Sequence, residues 1–127
     1  MTNPVMVVRR QVAYANPSDP NDETVVPVGR GCWMWCPGCD HAACIPVVGE
    51  DGSLPRGPMW TWDGNMERPT FDPSILQHEG ETIPRCHSYI RAGRWEFLSD
   101  CTHALAGQTV DMVPLPDWLV RERGGDG

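Results

Sequence analysis

The polarity pattern along the chain predicts short strands joined by turns. Residues 5–12, Val-Met-Val-Val-Arg-Arg-Gln-Val, open on β-branched side chains that suit a pleated surface. Val25 to Val28 predicts a short edge strand, because Pro27 has no amide hydrogen to give to a ladder. In Gly31-Cys-Trp-Met-Trp-Cys36 the period is two. Trp33 and Trp35 share one face, and Cys32, Met34 and Cys36 share the other. Both faces are apolar, so this strand is expected to be covered on both sides. After a Pro37-Gly38 turn, residues 44–48 predict the return strand, and residues 59–62 predict another. Pro69 and Pro73 argue against a central strand or helix interior from Glu67 to Ser74. That stretch is expected to wrap over the core, anchored by Phe71. Residues 85–91 and 94–99 predict a hairpin around Ala92-Gly93, and residues 110–115 a last strand. The expectation is a mainly β fold, a small single domain of short antiparallel strands over residues 1–117, followed by a C-terminal tail at 118–127 that frays from residue 121.

Composition sharpens this picture. Thirteen glycines and thirteen prolines favour turns over long helices, and six tryptophans can carry a modest core. The net charge is −7 and there is no lysine, which argues against a nucleic-acid surface built of clustered bases. No apolar run is long enough to cross a membrane. The first residues lack the basic and apolar regions of a signal peptide. A reducing cytoplasm is therefore the expected compartment, where six cysteines serve as thiolate ligands or buried thiols rather than disulfides.

The strongest chemical signal is Cys36-Pro-Gly-Cys39. Such a turn aims two sulfurs at one ion, and zinc takes thiolate and imidazole ligands in a tetrahedron. A second cluster lies downstream, Cys86-His87 and Cys101-Thr-His103, so two clusters can close one zinc-ribbon-like site. Register selects among them. A two-residue Ala92-Gly93 turn pairs Ile90 with Trp95 and Ser88 with Phe97. Cys86, Ile90, Trp95, Phe97 and Cys101 then share an apolar face, while His87 and Tyr89 point away. The expected ligands are Cys36, Cys39, Cys86 and Cys101. His87 replaces Cys86 if the register slips by one, and His103 replaces Cys101 or supports it. Cys32 and Cys44 read as core thiols, His41 as exposed and His78 as part of a polar loop. The tryptophans read as core rather than a binding platform. The carboxylates Asp63, Glu67, Asp72 and Asp100 read mainly as solvated or capping groups, and no nucleophile–base pair is identifiable.

Five segments carry a family resemblance. They are Trp33-Met-Trp-Cys-Pro-Gly-Cys39, Trp60-Thr-Trp-Asp-Gly-Asn65, Glu67-Arg-Pro-Thr-Phe-Asp-Pro-Ser74, Cys86-His-Ser-Tyr-Ile90 and Phe97-Leu-Ser-Asp-Cys-Thr-His-Ala-Leu-Ala-Gly-Gln-Thr-Val110. Over residues 31–117 the chain resembles a family of small proteins found in bacteria and many phage genomes. Some members are labelled "ammonia monooxygenase", and others are similar to proteins encoded beside bacterial ubiquitin-like conjugation genes. The label does not suit a thiolate-rich chain without a membrane span. Members often carry a His four residues after the second knuckle cysteine, where this chain has Ala43. The resemblance implies a metal-binding domain in a mobile-element context, within the host cytoplasm or the virion.

Three functions compete. Four thiolate ligands leave no open position on zinc, which favours a non-enzymatic interaction or accessory module with a protein partner and without nucleic acid or membrane. A zinc-dependent hydrolase acting on a peptide or ubiquitin-like tail needs three ligands, a water and a base such as Asp100 or Glu67. A thiol redox protein using Cys36 and Cys39 needs a helix after the pair, and no helical pattern follows Cys39.

Overall fold

The computed structural model describes residues 2–77 and 85–123. His78, expected in a polar loop, and the last four residues of the expected tail lie outside the described residues. Eight strands and one helix follow in chain order: β1 (Met6–Tyr14), β2 (Val25–Cys36), β3 (His41–Val47), β4 (Thr61–Trp62), β5 (Phe71–Gln77), β6 (Cys86–Arg91), β7 (Arg94–Phe97), β8 (Thr109–Asp111) and α1 (Asp117–Arg123). They form two antiparallel sheets, β1-β2-β3 and β4-β5-β6-β7-β8. The fold is mainly β, as the alternation of apolar positions predicts.

One cluster of buried side chains draws on both sheets. Met6, Val8, Cys32, Met34, Cys36 and Ile45 come from the first, and Phe71, Ile75, Cys86, Ile90, Trp95 and Phe97 from the second. The alternation in β2 is the predicted one. Cys32, Met34 and Cys36 enter this core, while Trp33 and Trp35 pack on the other face beside Leu115, Leu119 and Val120. The covering on that face is α1. Residues 25–28 and 31–36 join into one strand, because Gly29 at φ +83° bends the backbone without ending it.

Two expectations are corrected. The tail expected at 118–127 begins as helix, and residues 121–123, expected to fray, close it. Pro116 supplies its carbonyl to the Leu119 and Val120 amides, and Leu119 buries all but 1% of its surface. The helix is short, so a scan for helical periodicity misses it; docking on the sheet holds it. The segment ending at Ser74 is also not a simple wrap. Phe71 to Gln77 is strand β5, flanked by β4 and β6. Pro73 is accommodated because β4 pairs only with Phe71 and Asp72. The β6 ladder breaks between Phe71 and Ile75, where a bulge absorbs it. Among the tryptophans only Trp95 is fully buried, and Trp118 stays 44% exposed.

Candidate catalytic triad and metal centre

The β6–β7 hairpin has the predicted register, with Ser88 opposite Phe97, Ile90 opposite Trp95 and Arg91 opposite Arg94. Ala92 and Gly93 both take positive φ, 51° and 75°, as a two-residue hairpin turn requires. This register sends successive residues of β6 to opposite faces. Cys86, Ser88 and Ile90 are buried inside, while His87 and Tyr89 face outward and are half-buried.

On the inner face, the Cys36, Cys39 and Cys86 sulfurs lie within 4.8 Å of one another. The Pro37-Gly38 turn between β2 and β3 carries the first two, and the start of β6 carries the third. Cys36 Sγ is 3.1 Å from Cys39 Sγ and 3.7 Å from Cys86 Sγ. The second value matches the edge of a tetrahedron with zinc–sulfur bonds of about 2.3 Å, roughly 3.8 Å. Cys86, Cys101 and His103 form a second group whose three donor atoms lie within 4.8 Å of one another; it shares Cys86 with the first, and neither Cys101 nor His103 falls within one such group with Cys36 and Cys39. His103 packs on the knuckle so closely that a Cβ at Gly38 would sit 2.4 Å from its Nε2. That nitrogen is buried without a hydrogen-bond partner, and Nδ1 accepts the Leu105 amide at 3.2 Å.

The three thiols share protons. Hydrogen bonds from Cys39 and Cys86 hold the Cys36 thiol far below the usual range. The same bonds to Cys36, with desolvation, push Cys39 and Cys86 upward. One thiolate is stabilised by two neutral thiols, and all three can ionise together only against a cation. This is a cysteine cluster whose geometry can hold a metal. Cys32 and Cys44 stand apart. Burial raises their thiols to about 12 and about 11, and inert buried thiols behave that way.

On the outer face stands an arrangement that sequence reasoning did not find. Ser74 Oγ is 3.2 Å from His87 Nε2, and His87 Nδ1 is 3.1 Å from Asp100 Oδ2. An ionised carboxylate only accepts, so the imidazole proton sits on Nδ1 and Nε2 is free to take the serine proton. Each group has a local reason for its place. Leu76 pairs with His87 across β5 and β6, so Ser74 lies one diagonal step away on the same face. The Trp60 indole donates to the Ser74 carbonyl at 3.2 Å. Asp100 follows β7 in a turn stitched to β6 by Leu98 N–H to His87 O, at 2.9 Å, and Thr102 N–H to Arg85 O, at 3.0 Å. The Asp100 carboxyl is held below its ordinary range first by the hydrogen bond from His87, and Arg85 adds a second bond at 3.1 Å. Ser88, the other serine beside His87, points inward with no exposed surface and is no candidate nucleophile.

The two sites meet along the main chain. Cys101 Sγ accepts the His87 amide at 3.2 Å and lies 3.1 Å from the His87 carbonyl, to which its thiol donates. His87 itself points away from the thiol cluster, and Glu67 is exposed and takes no part in the hydrogen bonds of Ser74, His87 and Asp100.

Over residues 12–98 the chain matches the family model described as bacterial ubiquitination-like system serine protease (BubE). The match spans Ser74 and His87 and stops short of Asp100. No curated protein and no solved structure matches. The family is named for an enzymatic activity. That overturns the expectation of a non-enzymatic zinc module, which rested on the thiolates alone and took Asp100 for a solvated carboxylate. The likeness to proteins beside ubiquitin-like conjugation genes agrees with the family found. With the matched residues covering more than half of its length, the chain belongs to the BubE family of bacterial ubiquitination-like system serine proteases.

Proposed function

We propose that this protein is a serine peptidase with Ser74 as nucleophile, His87 as general base and Asp100 as the group that orients the imidazole. The observation that carries the reading is the continuous chain of contacts from Ser74 Oγ through both His87 nitrogens to Asp100, at 3.2 and 3.1 Å. In the reaction, Ser74 Oγ attacks the carbonyl carbon as its proton passes to His87 Nε2. His87 then gives that proton to the departing amine, and a water activated by the same nitrogen cleaves the acyl-enzyme. Asp100 keeps the ring in the Nδ1–H tautomer and balances the imidazolium charge. The family description supports a substrate in a ubiquitination-like system, a peptide or isopeptide bond to a ubiquitin-like protein.

The thiol cluster in this reading holds a zinc ion through Cys36, Cys39, Cys86 and Cys101. Zinc would supply the fixed charge that lets the thiols ionise, and would cross-tie the knuckle to β6. Cys101 fits the fourth place better than His103. Once ionised it keeps the bond from the His87 amide, whereas the Leu105 contact leaves the ring proton of His103 on Nε2. The cluster lies on the inner face, so it positions the triad from behind and takes no part in bond cleavage. Covalent labelling by a fluorophosphonate tests the central claim. The adduct is expected on Ser74 by peptide mass mapping, and Ser74→Ala should abolish it. Labelling that persists in that variant overturns the assignment.

A further inference from the structure

Among the described residues, strand β4 leaves the outer edge of β5 unpaired beyond Asp72. Strand β4 spans only Thr61 and Trp62 and pairs with Asp72 and Phe71, so it ends before the nucleophile. Beyond it, the direction of the Leu76 main chain follows from its partner His87. The His87 carbonyl accepts the Leu98 amide and the His87 amide is turned to Cys101, both away from β5. Leu76 and His87 are therefore a non-hydrogen-bonded pair, and the N–H and C=O of Leu76 face the opposite edge. Ser74, two residues earlier, confirms the phase: its carbonyl meets the Trp60 indole on the β4 side. Among the described residues, nothing bonds to the Leu76 amide or carbonyl. Its side chain is 43% exposed on the same face as Ser74 and His87.

We propose that an extended segment of the substrate polypeptide adds to this edge, pairing its main chain with Leu76 and so laying its scissile carbonyl across Ser74. The proposal rests on the serine peptidase reading. The physical logic is that of strand addition: the Leu76 N–H and C=O offer a donor and an acceptor on the open edge, and main-chain bonds supply affinity for a segment with little fixed shape. The edge also solves a problem of positioning. The triad sits on an open sheet face rather than in a deep cleft, with the His87 side chain 27% and the Asp100 side chain 44% exposed. On such a face a substrate has few walls to orient it, and an in-register backbone ladder fixes the reacting carbonyl. The exposed Leu76 side chain adds an apolar contact next to the bond that breaks.

The test uses the whole protein and a mixed-sequence pool of tripeptide phosphonates, which modify a reactive serine, beside copies of the pool methylated at each amide nitrogen in turn. In the unmodified protein, at least one methylated pool should inactivate about ten-fold more slowly than its parent, the scale of one lost main-chain hydrogen bond. Leu76→Pro removes the amide that faces the edge, and there the difference between the pools should shrink toward one. Equal rates for parent and methylated pools in the unmodified protein overturn strand addition while leaving the triad intact. A parent pool no faster than a phosphonate with the same leaving group but no peptide also overturns it. Failure of the fluorophosphonate itself to label Ser74 overturns the peptidase reading, and strand addition with it.

Discussion

Cys86 and His87 are adjacent in β6 and serve two different sites on opposite faces of one sheet. Cys86 Sγ sits 3.7 Å from Cys36 Sγ in the buried thiol cluster, while His87 Nε2 sits 3.2 Å from Ser74 Oγ on the open side. The same parity recurs at Asp100 and Cys101. The pleat of the strand thus separates the face of the Ser74–His87–Asp100 contacts from the face of the thiol cluster with no intervening residue.

This parity predicts a double dissociation. Cys86→Ser should lose zinc, measured by competition with a colorimetric chelator, because it removes one of the three clustered thiols. His87→Gln should keep the metal and lose fluorophosphonate labelling, because its ring hydrogen-bonds to Ser74 and Asp100 and points away from the thiol cluster. If His87→Gln loses zinc while Cys86→Ser retains it, the ligand assignment is reversed.

The third member of the triad can be weighed separately. Asp100→Asn leaves a group of the same shape, but its amide presents a donor where Nδ1–H needs an acceptor, so the ring turns to the wrong tautomer. Turnover of a peptide substrate should fall about 10³- to 10⁴-fold. The melting temperature should barely move, because Asp100 is exposed and its bonds to Arg85 and His87 are surface contacts. A loss below ten-fold would remove Asp100 from the mechanism.

Much of the architecture was legible in the sequence for a plain reason. Alternation in residues 31–36 and the Ala92-Gly93 turn are local signals, and they fixed the faces of β2 and the register of β6 with β7. The inner cluster followed, because Cys36, Cys39 and Cys86 lie on faces that local pattern defines. The triad was not legible. Ser74 and His87 meet only through the pairing of β5 with β6, and Pro69 and Pro73 argue against a central strand there. The bulge between Phe71 and Ile75 is what tolerates Pro73, and no local pattern announces it. Asp100 in turn sits in a loop whose path depends on long-range bonds to Arg85 and His87.

Metal removal should couple the two faces. The purified protein is expected to hold about one zinc per chain, measured by elemental analysis. A strong chelator should lower both the melting temperature and the rate of Ser74 labelling, because an ion held by the proposed ligands would anchor the segment that carries Cys101 against the His87 main chain. Cys39→Ala should resemble the chelated protein. Of the two nearby candidates, Cys101→Ser should weaken zinc binding more than His103→Gln. Stripped protein that labels at the full rate would separate the metal from the catalytic geometry.

The helix at the end of the chain gives a prediction independent of both sites. Leu119 is 1% exposed and packs with Val7 and Leu115 against the outer face of β1 and β2, where Trp33 and Trp35 lie half-buried. Around it the helix is tied by Asn3 Nδ2 to the Leu115 carbonyl at 2.8 Å and by the Leu115 amide to the Pro4 carbonyl at 2.9 Å. A seven-residue helix has too few internal bonds to persist alone, so its side-chain contacts decide whether it stays docked. Leu119→Ala should cost about 2–4 kcal/mol through lost burial and an unfilled space, and the melting temperature should drop by roughly 10 °C. Trp118→Ala is the control on the same helix, since Trp118 meets Trp35 edge-on at 6.2 Å and keeps 44% of its surface in water. Its cost should be smaller. Zinc content should be unchanged in both variants, because the helix covers the face of β2 opposite Cys36. Equal, negligible shifts for the two variants would mean that the helix does not contribute to the folded core.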